Sequence, residues 1–213
     1  MTREEIFEAI RLHELWLADD SRGRQANLAG ISMIRPDLSH RDLRHANLAG
    51  AFISDANFEG ADLREANLRG CSLPGASFTG AWLWRTDFSG AYLEQANFDR
   101  AYLIRAKFYG AYLEGCNFML AACSGAKFQG AHLANAHLQE AKFEAIPEEG
   151  CLPADFSGAQ LQFAAFQKAR LEGAFFDGAA LRDSDLFDAD LKLVDGKLVT
   201  NKRRSIKSKD NDA

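Results

Sequence analysis

The chain has 213 residues, 30 acidic side chains against 25 Lys and Arg, a net charge of −5 and 47 % hydrophobic residues. That length suits one domain. No N-terminal stretch reads as a signal peptide, and no apolar run is long enough for a membrane-spanning helix, which points to a cytoplasmic protein. The four Cys show no disulfide framework and no paired Cys or Cys/His spacing, so neither a metal nor another cofactor is expected.

Residues 3 to 18 predict a short amphipathic helix. Thr2 and Glu5 form a capping box, and Ile6, Ile10, His13 and Leu17 fall on one side, with Phe7 and Trp16 adjacent. Glu4, Glu5, Glu8 and Glu14 outnumber Arg3 and Arg11, which argues against a membrane surface. With its lead-in the segment covers residues 1–25, and its expected task is to plug the open end of the repeat that begins at Ala26.

From Ala26 to Leu191 the chain repeats every five residues as Ala, polar, Leu or Phe, polar, Gly. Of 32 units, 29 carry Leu or Phe at the third position and 25 carry Ala at the first, enough to make the architecture a repeat. A period of five fits neither a helix nor a long strand. Two inward positions two apart suit a very short strand, and Gly at the fifth suits a turn. Stacked in one hand, such units make a β-helix. Phe alternates every second unit from Phe78 to Phe128, and outward residues recur at twenty, as Tyr92 and Tyr112 or Arg85 and Arg105 do. Four units per coil explain both. Phe88, Phe108 and Phe128 then stack on one side, and Phe58, Phe78, Phe98 and Phe118 on the opposite one. About eight coils at a spacing of roughly 4.8 Å give a rod roughly 38 Å long. Ile31, Pro36 and Arg41 stand where small residues belong, predicting a loosened first coil. Cys71 and Cys116 replace inward Ala and Cys123 an inward Leu, as small core residues in a reducing compartment.

The repeat pauses at 144–152, where Ile146-Pro147-Glu148-Glu149-Gly150 has turn residues and two acids. Central positions on either side are 13 apart, an insertion of three or eight residues beyond whole units. Cys151, within the pause, is expected to be accessible. Beyond the repeat, residues 192–213 read as a hairpin around Val194–Val199 and a basic, disordered tail with Lys202, Arg203, Arg204, Lys207 and Lys209.

The units Ala61-Asp62-Leu63-Arg64-Glu65, Ala66-Asn67-Leu68-Arg69-Gly70 and Ala96-Asn97-Phe98 resemble the A-(D/N)-L-X-X repeat of pentapeptide-repeat proteins, and the resemblance spans residues 26–191 apart from the pause. It implies a mainly β fold, a right-handed quadrilateral β-helix. It also implies that some members imitate DNA, bind DNA gyrase or topoisomerase IV in its place, and lower quinolone toxicity. Many relatives pair end to end through the last coil, so a homodimer stays open here.

Function must lie on the outward positions, since packing uses the inward ones. No nucleophile elbow, P-loop, dinucleotide fingerprint or other catalytic constellation is present, so no enzyme activity is expected. Two readings remain. Trp82, Trp84, Tyr102 and Ile104, with Arg85 and Arg105, form one aromatic and cationic face suited to a protein partner. Residues 26–191 carry 21 acidic and 14 basic side chains, and Asp55, Glu94, Glu114, Glu148, Glu149, Asp183, Asp185 and Asp188 are candidate phosphate imitators. An arginine column of Arg44, Arg64, Arg85 and Arg105 works against imitation on its own side. The 144–152 loop serves either reading, as a projecting contact or a tolerated insertion.

Overall fold

The computed structural model describes residues 1–194 and 197–200. It opens with helix α1 (Arg3–Leu17). The Glu5 amide donates to Thr2 Oγ1 at 3.2 Å and the Thr2 amide to Glu5 Oε2 at 2.8 Å, so two otherwise orphaned donors are satisfied reciprocally. Ile6, Ile10 and His13 are buried, and the two isoleucines join the main core.

From Ala26 onward the backbone coils under one local rule. In each five-residue unit the first and third side chains point in, and the second and fourth point out. The third amide donates to the second carbonyl of the coil ahead, as Leu63 to Trp82 at 2.8 Å. The second amide donates to the first carbonyl of the coil behind, as Trp82 to Ala61 at 2.9 Å. Parallel pairings therefore join residues twenty apart: Asn27 to Asn47, Asn47 to Asn67, Trp82 to Tyr102. Twenty residues in five-residue units give a coil of four sides, the stacked architecture of a β-helix.

The fifth residue adopts left-handed backbone whether or not it is glycine. Gly60 has φ +61°, Glu65 +60°, Arg85 +57° and Leu120 +58°. Its amide is bonded to a carbonyl in the coil ahead, as Glu65 to Trp84 at 2.9 Å. That bond and the neighbouring coils hold side-chain-bearing residues in a conformation costing about 1–2 kcal/mol each.

Inside, phenylalanines form two columns. Phe58, Phe78, Phe98 and Phe118 lie parallel with centroids 4.9 Å apart. Phe88, Phe108, Phe128, Phe156 and Phe176 form the second, at 4.8–5.1 Å. The columns meet edge to face, as Phe98 and Phe108 do at 5.8 Å, a favourable arrangement for ring quadrupoles. At three of the positions where Ala is replaced, Thr86, Cys116 and Ser184, the side chain donates to a third-position carbonyl one coil back. Thr86 Oγ1 reaches Leu63 O at 2.8 Å and Cys116 Sγ reaches Leu93 O at 2.9 Å.

The first coil is not loosened. Strand β1 (Ser32–Ile34) pairs in parallel with β2 (Phe52–Ser54), Met33 opposite Ile53, and Asp37 and Asp42 pair with Asn57 and Asp62. Ile31 and Pro36 are buried. Arg41 turns to the helix, its Nε 2.9 Å from Glu14 Oε1 as an ion pair, without hydrogen-bond alignment. Helix α1 supplies what the missing preceding coil would have done. The Ala26 amide donates to His13 Nδ1 at 3.1 Å, so Nε2 carries the ring proton and donates to Arg44 O at 2.9 Å. Burial pushes the His13 pKa down, outweighing the Arg44 carbonyl and the nearby carboxylates of Asp42 and Glu14.

Beyond the pause, Lys127 pairs with Asp155 and Lys142 with Arg170, 28 residues apart instead of twenty. The insertion is therefore eight residues, 146–153, and the coil resumes in phase. Its ends are tied by Ile146 and Cys151, which exchange amide–carbonyl bonds of 3.1 and 3.0 Å around a single 3₁₀ turn, Pro147–Glu149. Cys151 is buried, contrary to expectation, because this closure folds it inward. All four cysteines are free and buried. At the far end, Ala174, Phe176, Ala179, Leu181 and Leu186 are partly buried against the core. Strands β3 (Leu191–Val194) and β4 (Lys197–Thr200) pair antiparallel, Val194 opposite Lys197. The basic tail, 201–213, lies outside the described residues. Among those described, no helix is long and apolar enough to cross a membrane, and no group of side chains is placed to hold a metal ion.

Candidate interaction surface

The side that begins with Arg41 carries Asp42, Asp62, Trp82 and Tyr102 in one outward column. At its lower end the charges are closed. Arg44 grips Asp42 with Nη2 to Oδ2 at 2.7 Å, and Arg64 grips Asp62 in the same way at 2.6 Å. Burial raises the Asp42 pKa, but hydrogen bonds and charge from Arg44 more than reverse it, leaving the carboxyl below its usual range. Hydrogen bonds to these acids raise both arginines.

One coil further the chemistry changes. Trp82 and Tyr102 stack with centroids 4.4 Å apart and planes 11° off parallel, yet stay 48 % and 43 % exposed. Arg64 approaches the Trp82 ring at 6.0 Å, and Arg85 covers the half-buried Trp84 at 4.2 Å. Ile104 sits above Trp84, also half-buried. Trp82, Trp84, Tyr102, Ile104, Arg85 and Arg105 therefore do share one side. Intercoil stacking and solvent exposure coexist in the same rings. The opposite side has a parallel column, Tyr92, Tyr112 and His132, stacked at 4.7 Å.

Arg105 points away from the aromatics to the insertion. Its Nη2 donates to Glu149 O at 3.0 Å and Gly150 O at 2.9 Å, clamping the 3₁₀ turn over the solenoid corner. Gly125 makes room for this. It has φ +71°, and a Cβ there would lie 3.4 Å from Leu152 O and 3.3 Å from Arg105 Cγ. The corner holds a groove of about 480 Å³ between Arg85, Arg105, Lys107, Lys127, Tyr109 and Leu152. Below it a recess of about 440 Å³ shares Arg85 and Lys107 and adds Glu65, Arg69 and Asp87. Sequence reasoning does not single out Lys107, Lys127 or Tyr109. Their signal is the twenty-residue spacing of Lys107 and Lys127, legible once the corner is known to join them to Arg105.

The eight candidate acids are not brought together. Asp55, Glu94, Glu114 and Asp183 lie on the Phe52–Tyr92 side, Asp185 and Asp188 on the next, and Glu148 and Glu149 on the insertion above the basic corner. Asp55 is 3.6 Å from Arg35, and Asp183 is 3.0 Å from Arg182. Asp185 accepts from Gln167 Nε2 at 2.6 Å and from the Phe187 amide at 2.9 Å. Among the described residues Glu94 and Glu114, like Glu148, Glu149 and Asp188, have no cation within 4 Å.

A family profile described as pentapeptide repeats matches this chain in eight copies, over residues 42–80, 53–88, 83–119, 116–145 and 154–192. No curated protein matches it. Among solved structures, it is similar to HetL, a pentapeptide repeat protein involved in heterocyst differentiation regulation in the cyanobacterium Nostoc sp. strain PCC 7120. That match has 29 % identity, covers 93 % of this chain and all of the other, and has a TM-score of 0.36. A pentapeptide repeat protein of the Arabidopsis thaliana thylakoid lumen matches at 28 % identity over 60 % of this chain and 71 % of its own, TM-score 0.20. The plasmid-mediated fluoroquinolone resistance protein QnrB1 matches at 18 % identity over 75 % of this chain and 88 % of its own, TM-score 0.35.

Proposed function

Since the chain belongs to the pentapeptide-repeat family, we propose that it is a non-enzymatic scaffold, a right-handed solenoid of about eight coils that binds another protein through the Trp82–Tyr102 side. The observation that carries this reading is the exposed stack of Trp82 on Tyr102, flanked by Arg64 and Arg85. Large rings held rigid by their neighbours lose little entropy on binding and offer both apolar area and cation–π partners, the composition of interface hot spots. Four free, buried thiols support a reducing, cytoplasmic setting.

The alternative reading, imitation of DNA at gyrase or topoisomerase IV, draws on Glu94 and Glu114. It receives less support, because the acids are dispersed over different sides and several are already paired. One experiment separates the two. Partners are crosslinked to the protein and to Trp82→Ala/Trp84→Ala and Glu94→Lys/Glu114→Lys variants, at low and high salt, and gyrase supercoiling is assayed with each variant, with and without a quinolone. The scaffold reading expects capture that survives salt and disappears with the tryptophans. Gyrase protection that survives loss of the tryptophans but vanishes with the Lys substitutions or with salt would replace it with imitation.

A further inference from the structure

We propose that the corner groove beside the aromatic strip binds a phosphorylated side chain of the protein partner, holding its phosphate between the Arg105 guanidinium and the ammonium groups of Lys107 and Lys127. The proposal rests on the scaffold reading and assigns the partner a chemical class.

Charge is the first argument. In a chain with net charge −5, four cations and no carboxylate line this groove. The lower recess is compensated: Asp87 lies 3.3 Å from Arg69 and 3.8 Å from Lys107, and Glu65 lies 3.9 Å from Arg85. In the upper part Lys107 and Arg85 keep those partners, and the uncompensated cations are Arg105 and Lys127. Among the described residues, neither Arg105 nor Lys127 has a carboxylate within 4 Å.

Preorganisation is the second. Two loop carbonyls hold Arg105 through Nη2, while Nε and Nη1 have no acceptor among the described residues. A guanidinium fixed by one nitrogen, with its other donors unengaged, is prepared for an oxyanion and loses little entropy in binding one. This also gives the eight-residue insertion a purpose, as the brace of that arginine.

Size is the third and decides the ligand. The outward column at this corner reads Asp87, Lys107, Lys127, Asp155. Its positive stretch is two coils long, about 4.8 Å between lysines, and closed by an acid at each end. A nucleic-acid backbone needs cations that continue along its length. A single phosphate, with a charge of about −1.5 to −2 and three acceptor oxygens, fits a positive patch of this extent. The shelf of Trp84 and Ile104 on the adjoining side would seat the residues flanking a modified side chain, which a free anion does not need.

The test uses the full chain and two degenerate peptide pools, one with a central phosphoserine and one with serine, followed by fluorescence anisotropy. Inorganic phosphate is titrated separately while the side-chain Nε–H signals of arginine are recorded by NMR. The phosphorylated pool should bind at least about tenfold more tightly, equivalent to about 1.4 kcal/mol. Lys107→Glu and Lys127→Glu, both surface changes, should remove that preference with the circular dichroism unchanged. Equal binding of both pools, or a preference that survives both substitutions, overturns the proposal. Inorganic phosphate that shifts the Arg105 signal without any phosphopeptide preference also overturns it, by making the groove a site for free anion. Failure of the scaffold reading is seen elsewhere, as partner capture that ignores loss of Trp82 and Trp84.

Discussion

Replacing His13 with leucine removes both hydrogen bonds by which α1 closes the solenoid, leaving the Ala26 amide and the Arg44 carbonyl buried beneath an apolar side chain. Each orphaned group costs about 1–3 kcal/mol, so the helix should be weakened by about 2–6 kcal/mol. Coils touch only their neighbours, so the loss should stay local: α1 detaches while the stack persists. Hydrogen exchange reports this directly, as faster exchange at residues 3–17 and at Ala26 with the amides of later coils unchanged. Acid should produce the same event in the native chain. Burial holds the His13 pKa below its ordinary 6.5, so the detached state takes up the proton first. The helix contact is at full strength above pH 6.5 and weakens as pH falls below it, by at most about 1.4 kcal/mol per pH unit. A proton on Nδ1 would face the Ala26 amide, donor against donor. Trp16, stacked on His13 at 5.5 Å, gives a fluorescence signal for the titration. His13→Gln keeps a donor and an acceptor but cannot titrate, and should flatten the profile between pH 7.5 and 5. Identical profiles for His13→Gln and the native chain would refute the reasoning, as would unchanged exchange at Ala26 in His13→Leu.

Phe108→Ala should cost about 3–5 kcal/mol, since its ring touches Phe88, Phe98, Phe118 and Phe128; urea unfolding should show it, with the accelerated exchange centred on those coils. Leu120 sits at φ +58° with its side chain 38 % exposed, so Leu120→Gly should relieve strain and raise the melting temperature by about 2–4 °C; a fall would show that its side-chain contacts outweigh the backbone. Arg105→Ala should free the insertion, and a Glu-specific protease should cut after Glu148 or Glu149 about tenfold faster, in line with hydrogen bonds from a charged donor. Burial pushes the Cys71 thiol up to about 12, so thiol reagents at pH 8 should leave it unmodified until the protein is unfolded; labelling at the unfolded rate in the native state would contradict the core placement.

The periodic part of this molecule was readable because each unit repeats one physical instruction. Ala61 and Leu63 must point inward for the same reason as Ala101 and Leu103, and the alternation of Phe with Leu revealed four sides before any contact was known. The capping box of Thr2 and Glu5 was legible as a local motif. What escaped was whatever depends on a single meeting in space. Arg41 looked like a defect in the first coil, and only the docked helix turns it into a partner for Glu14. Cys151 looked exposed because a pause reads as a loop, and its pairing with Ile146 reverses that. The length of the insertion stood between three and eight, since spacing alone does not tell how many units lie inside a gap. The basic corner was half visible. Arg85 and Arg105 belong to one side and Lys107 and Lys127 to the next, and a side-by-side reading separates residues that a corner unites. Glycine at the fifth position is legible as a turn residue, but not the bond to the coil ahead that holds Glu65, Arg85 and Leu120 in the same conformation.

The eight residues between Ala145 and Ala154 leave the coil and return to it with every subsequent pairing in phase. For the rest of the rod, the length of that excursion is invisible. A lineage, or an engineer, can therefore lengthen, shorten or exchange this segment without shifting the register of the stack, provided the two ends still meet at the same corner and Arg105 and Gly125 find new contacts there. The molecule thus divides its inheritance into a frame that tolerates little change and a port where length can vary, and the port opens beside the groove of Arg85, Arg105, Lys107 and Lys127.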